Sequence, residues 1–236
     1  MSLPKIEYPI TNIKVPSIKK SFPFRPFLVK EEKLLLMAKE ENNTAEYLSA
    51  IKQVVNNCCL DKNLNINSLA IFDLEYLFLK LRAISVENVI KLSYVDTEDQ
   101  KEYNFELDLN TIEVTFPDKI DNNIKLSDTT GILMKYPSAS LYDDKEFLSL
   151  ERDYMFELII KCMDKIYEND SVYETKDYSK QNLMDFLDNL SIKTFEDIQK
   201  FLLNVPKLKH EINYKNSFGN DRKIVLESLN DFFPPG

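Results

Sequence analysis

Three glycines, three cysteines, one histidine and no tryptophan serve a chain of 236 residues, and that scarcity excludes whole classes of chemistry. The glycines are Gly131, Gly219 and Gly236, and no two lie close enough to build a phosphate-cradling loop. Neither the dinucleotide-binding nor the P-loop fingerprint can be written, and the hydrolase nucleophile elbow is equally impossible. A four-ligand zinc site would need Cys58, Cys59, Cys162 and His210 together, at spacings that match no zinc module. Histidine catalysis rests on His210 alone, and a lone histidine on an expected strand reads as a packed or surface residue before a base. No run approaches the ~18 apolar residues of a membrane span. Met1 to Pro9 holds no apolar stretch of signal-peptide length. Free, vicinal Cys58-Cys59 suits a reducing cytosol better than a disulfide scaffold.

What is present is ordinary globular material, 44% apolar and 29% charged. Thirty basic against 39 acidic residues leave a net charge of −9, and such a surface repels phosphate backbones, so no nucleic-acid partner is expected. The charge is uneven. Residues 1–30 hold Lys5, Lys14, Lys19, Lys20, Arg25 and Lys30 against Glu7, a local +5, while the other residues sum to −14. One account is a solvated, lysine-studded edge hairpin; the other is an arm that docks on an acidic partner.

Pro4, Pro9, Pro16, Pro23 and Pro26 forbid a long helix near the start and predict an extended arm or irregular hairpin, with strands at 10–15 and 21–27. Apolar spacing then predicts helices over 29–41 and from Thr44, which serves as cap, through Val55. A third is expected over Ser68–Ser85. At Ile90 the period drops to two: Ile90, Leu92 and Tyr94, then Tyr103, Phe105, Leu107 and Leu109, flank a polar turn and form a hairpin. Short strands are expected at 112–116, 124–126 and 132–136. Phe147, Leu150, Tyr154, Leu158, Cys162 and Ile166 predict one long helix over Lys145–Glu168. Helices at 179–190 and 191–204 follow, then a last hairpin at 208–215 and 222–226. At an offset of 120, Leu92, Tyr94, Phe105, Leu109 and Asn110 match Ile212, Tyr214, Val225, Leu229 and Asn230. Either two helix-plus-hairpin modules are duplicated, or two alternating hairpins resemble each other by chance. The expected class is α+β: helical segments, two or more antiparallel hairpins and an extended N-terminal arm. Its divisions are 1–28, 29–136 and 137–236, the last two either separate modules or fused in one compact domain.

Two motifs hint at chemistry and fail. Asp61-x-Asn63-x-Asn65 opens like a calcium loop, but Ile66 stands where the sharp turn needs glycine and Phe72 where a bidentate glutamate belongs. Asp143, Asp144 and Glu146 sit in polar company beside Lys145, which fits a helix start better than a general acid. No catalytic residue, cofactor or metal is assigned, and no enzyme is expected. A hydrolase assembled from distant carboxylates is the minor alternative.

The stretch Phe24 to Ala38 (FRPFLVKEEKLLLMA) resembles the opening of the T-even-type phage baseplate hub family, which comprises a hub subunit and a related hub assembly catalyst. Residues 51–58 (IKQVVNNC), 72–88 (FDLEYLFLKLRAISVEN), 186–214 (FLDNLSIKTFEDIQKFLLNVPKLKHEINY) and 225–233 (VLESLNDFF) are similar to it in the same order. Relatives often carry Cys-x-x-Cys pairs at hairpin tips. Here the tips, 95–101 and 216–222, have none, so hydrogen-bonded turns are expected to hold them without metal.

The resemblance implies a late phage protein that acts in the host cytoplasm while the hub is assembled. It would stay in the virion baseplate as a subunit or leave as a chaperone-like factor, binding other hub and tail proteins. The alternative from another class is a cytosolic adaptor unrelated to tails. Candidate contact residues are Lys19, Lys20, Arg25 and Phe27 in the arm. The tail adds Phe232 and Phe233, which either pack on the chain's own core or anchor another subunit.

Overall fold

A computed structural model describes residues 6–41, 43–119, 121–150 and 154–233. The chain begins with a hairpin, β1 (Thr11–Val15) and β2 (Lys20–Phe24), paired antiparallel around Pro16–Lys19. Lys19 takes the left-handed conformation (φ 58°) that the tight reversal needs. Helix α1 (Val29–Glu40) follows, its first turn closed by the Glu31 carboxylate accepting from the Leu28 N–H at 2.9 Å. Helix α2 (Thr44–Cys58) is capped by Asn43, not by Thr44 as expected. The Asn43 side chain accepts from Ala45 N–H at 3.0 Å and Glu46 N–H at 3.4 Å, so the carboxamide one residue earlier takes the role.

Asp61, the would-be calcium ligand, accepts from the Asn63 N–H at 2.9 Å, and Asn65 caps a turn of 3₁₀-helix at Ile66–Ser68. Helix α3 (Ile71–Ser85) therefore begins three residues later than its apolar spacing implied. Leu74, Leu77, Phe78 and Leu81 on it are essentially fully buried and form the axis of the first core. The hairpin β3 (Val89–Val95) and β4 (Glu102–Asp108) leads into a turn at Leu109–Thr111 and strand β5 (Glu113–Thr115). Lys80 closes that turn from α3, donating to the carbonyls of Asn110 and Ile112 at 2.8 Å each.

The next stretch builds a second core. Strands β6 (Asn123–Lys125) and β7 (Thr130–Met134) pair, and a short helix α4 (Lys145–Leu148) precedes α5 (Tyr154–Cys162), β8 (Met163–Glu168) and β9 (Ser171–Glu174). The sheet order is β6-β7-β8-β9. The expected single helix over Lys145–Glu168 is thus broken after Leu148, where α4 ends, and its last quarter, Met163–Glu168, is a strand. The helix ends at Cys162 although the apolar stripe runs on to Ile166, and there the chain becomes a strand paired on both sides. Asn169 supplies the reason: at φ 51° it turns β8 back as β9 in a two-residue hairpin, and Ile166 lies opposite Ile132. Gly131 on β7 faces Tyr167 across the ladder, and a Cβ there would lie 2.3 Å from the phenol oxygen. Glycine is required by that close approach.

Helices α6 (Lys180–Asp188) and α7 (Ile192–Leu203) then cover this core, capped by Ser179 and Ser191 as their sequences announce. Ile132, Ile159, Cys162, Met163, Leu187 and Ile198 are among the residues buried with them. The chain finishes with β10 (Lys207–Lys215), β11 (Asp221–Leu226) and a single helical turn α8 (Leu229–Phe232). β10 pairs with β11 on one edge and with β5 on the other.

The compact units follow these pairings and not the linear order of the modules. One comprises the residues up to Thr115 together with Lys207 onward, the other Phe116–Pro206. The sequence division at 136/137 differs because β10 returns across some ninety residues of chain to pair with β5: Lys209 lies opposite Glu113.

Candidate interaction surfaces

The N-terminal hairpin is fixed from within. Ile13, Val15 and Phe24 turn inward and are buried, while Asp73 on α3, fully buried itself, accepts from the Ser17 N–H at 2.9 Å and from its hydroxyl. Burial pushes the Asp73 carboxyl up from its ordinary value, and the two Ser17 bonds pull against it. Alternation then leaves Lys14 exposed on the outer face of β1, with Ile18, Lys19 and Lys20 exposed at the turn and start of β2. The two candidate lysines, Lys19 and Lys20, therefore stand on a rigid, solvent-facing hairpin.

Arg25 does not stand with them. Its guanidinium forks onto Glu31 at 2.9 and 3.2 Å and donates to the carbonyls of Pro26 at 2.9 Å and Asn57 at 3.0 Å. Burial raises the Glu31 carboxyl, but the fork and the Leu28 N–H outweigh it and hold the pKa below the usual range. The bond from Glu31 in turn raises Arg25. Phe27 is buried and stacked on Phe78 with ring centroids 5.9 Å apart. Phe233 meets the same ring edge-on at 6.0 Å, and Phe232 is 1% exposed. Arg25, Phe27, Phe232 and Phe233 thus make their contacts inside the first unit, and of the two accounts of the tail it is packing on the chain's own core that describes Phe232 and Phe233. Aromatic and arginine side chains in a terminal segment look the same in sequence whether they dock inward or outward.

The hydrogen-bonded turns expected at the tips of the two long hairpins are present, and the contacts that join one tip to the other are what the sequence did not foresee. Asp96 opens the β3–β4 tip and Asn216 the β10–β11 tip, and both are buried, at 0% and 5% exposure. Each folds its own loop. Asp96 accepts from the Glu98 N–H at 2.7 Å and Asn216 from the Phe218 and Asn220 N–H groups at 3.1 and 3.0 Å. Each also reaches the other hairpin: the Tyr214 hydroxyl and Arg222 Nε (3.0 Å) donate to Asp96. Asn216 and Asn220 donate to the two oxygens of Glu98 at 2.6 Å each, and the Ser217 N–H to Asp99 at 2.8 Å. Tyr103 and Phe105 pack on the Tyr214 ring at 4.9 and 5.3 Å. The Tyr214 bond lowers the Asp96 pKa, while burial and Asp96 push the Tyr214 phenol up to about 12. These contacts hold the two tips as one block. Phe218, 66% exposed, and Val95, 56% exposed, stand out from it.

The repeat at offset 120 is visible in this block, with a correction. Tyr94 lies opposite Tyr103 but Tyr214 opposite Arg222, so the second loop is one residue shorter. Phe105 therefore corresponds in register to Ile224 and not to Val225, and the offset recovers at buried Leu109 and Leu229. The sequence signal that marks the block is the pair Asp96 and Asn216, side chains able to fold a turn by themselves.

In the second unit a shallow groove is lined by Lys119, Lys125, Lys200, Asp121, Asp197 and Phe201. Lys200 is already paired with Asp197 at 2.9 Å. Among the described residues no group of three or more His, Cys, Asp or Glu side chains is placed to hold a metal ion. His210 sits in the middle of β10 opposite Leu226. Cys58 is buried, and burial pushes its thiol up to about 12, far from a reactive thiolate. No helix among the described residues is long and apolar enough to cross a membrane.

The chain is thus an α+β protein with an exposed basic hairpin and two hairpin tips joined by hydrogen bonds. A family model described as T4 bacteriophage base plate protein matches residues 6–234, and the chain belongs to that family. Membership gives it a structural or assembly role in a phage baseplate, with other baseplate proteins as partners. No curated protein and no solved structure matches the chain.

Proposed function

We propose that the protein is a non-catalytic factor of the central hub of the baseplate, which binds other hub and tail proteins in the host cytoplasm while the contractile tail is assembled. The observation that carries the reading is the basic hairpin. Lys14, Lys19 and Lys20 project from a strand pair clamped to α3 through Ser17 and Asp73, in a chain that is otherwise acidic. A fixed cationic face on an acidic body favours an acidic partner and orients the encounter. The buried acids support contact over proton transfer as the chemistry. Glu31 is held by Arg25, Asp73 by Ser17, Asp96 by Tyr214 and Arg222, and Glu157 by Lys180, so each already has an internal partner.

The test is co-expression with the hub and tape-measure proteins, followed by purification of complexes and of mature tails. The triple variant K14E/K19E/K20E is expected to weaken the complex at least about tenfold while its melting temperature stays unchanged. Arg25→Glu is unsuitable, because it would strike the Glu31 pair instead of a partner. Binding that survives the triple variant sinks the hairpin as the contact. Presence in intact virions identifies a subunit, and capture only with precursors identifies a chaperone.

A further inference from the structure

Helix α1 presents two faces of different character. Glu31, Leu35 and Ala38 are buried against the first unit. On the other side Val29, Leu36 and Met37 are 73%, 52% and 64% exposed. Lys33 and Glu40, also exposed, share this face, since positions 29, 33, 36, 37 and 40 fall on one side of a 3.6-residue helix. Lys33 and Glu40 stand two turns apart and make no ion pair with each other. The face thus reads, from N- to C-terminus, apolar, basic, apolar, acidic.

That order is self-complementary in one orientation only. If an identical helix is laid antiparallel with the two-fold axis between residues 36 and 37, residue i meets residue 73 − i of the second copy. Leu36 then packs on Met37 of the second copy and the reverse, while Lys33 meets Glu40 of the second copy twice over. A parallel arrangement would set lysine on lysine and glutamate on glutamate. Closed two-fold symmetry requires such a self-matching patch, and exposed aliphatic side chains between opposite charges are what it is made of.

We infer that α1 is a homodimerisation helix: a second copy of this chain binds antiparallel across Leu36 and Met37, with register set by Lys33–Glu40 pairs. One twelve-residue helix face buries little area, below ~1,200 Å² in total, which places the pairing in the weak class. Two copies brought together on a larger assembly would meet through it. The inference stands apart from the hub reading, since it needs no other protein.

Sedimentation of the full chain from about 1 to about 500 µM is the experiment, as weak pairs dissociate in that range. The wild type is expected to pass from monomer to dimer. Leu36→Asp should abolish the dimer. Either single charge reversal, Lys33→Glu or Glu40→Lys, should weaken it about tenfold, and the double reversal K33E/E40K should restore it to within about threefold. All three substituted positions lie on the exposed side of α1, and far-UV circular dichroism checks that the fold is kept. A wild type that stays monomeric throughout overturns the inference. So does a dimer that survives Leu36→Asp, or one that the double reversal leaves as weak as the single variants.

Discussion

At the scale of single residues, Arg25 and Glu31 make a sharply testable pair. Glu31 is 1% exposed, and its charge is held there chiefly by Arg25, which grips both oxygens. Arg25→Met leaves the buried carboxylate with only the Leu28 N–H and the Lys30 ammonium at 3.5 Å, and should cost about 3 kcal/mol. The pH dependence identifies the cause. In the wild type the folded pKa is depressed below the ordinary 4.5, so the pair stabilises above that value and the contribution is lost as pH falls through the folded pKa. In R25M the strongest depressing partner is gone, burial outweighs the Leu28 N–H and Lys30 that remain, and falling pH instead relieves a buried charge. The melting-temperature gap between variant and wild type should therefore narrow from pH 7 towards pH ~4, the range in which carboxylates titrate. A gap constant with pH would mean that Arg25 acts by packing alone.

Secondary elements show what can be read from local pattern and what cannot. The hairpins at β3–β4 and β10–β11 were legible because alternation, polar tips and β-branched or aromatic residues agreed. The start of α7 was legible in the same way, because Ser191, at the junction of the two expected helices, does the local job alone. Met163–Glu168 was not. Its apolar residues extend the helical stripe of α5, and the deciding interactions, with β7 and with β9 beyond Asn169, are tertiary. The double tip lay further out of reach, because Asp96 and Tyr214 are 118 residues apart. That network makes a prediction at this scale. If the tips are one block, Asp96→Ala should release the amides of Ser217 and Asn220 as well as those of Glu98 and Asp99. Hydrogen exchange resolved by residue reads this directly. Loss of protection confined to 96–101 would show that each tip stands on its own turn, with the contacts between them contributing little. Tyr214→Phe should give a milder version, since it removes a single donor to Asp96.

For the molecule as a whole, the consequence of the β5–β10 pairing is that the two units differ in how they can fold. Residues 116–206 are continuous and carry their own core around Ile132, Ile159, Met163 and Ile198, each fully buried. The other unit is interrupted. Its N-terminal part lacks, until the end of the chain, the Leu208, Leu226, Leu229 and Phe232 side chains, which are 0%, 6%, 3% and 1% exposed. Burying a side chain of this size contributes about 2 kcal/mol, so the four together amount to about 8 kcal/mol, the whole stability of a typical domain. A fragment of residues 116–206 should accordingly give a dispersed amide spectrum and a cooperative melt. A fragment of residues 1–115 should give neither until a second fragment spanning 207–236 is added. The order of synthesis has the same implication: the second unit is complete before the first, whose Asp96 must wait for Tyr214 and Arg222. A cooperative melt from 1–115 alone would show that α3 and the N-terminal hairpin suffice, and that the returning strands add only surface.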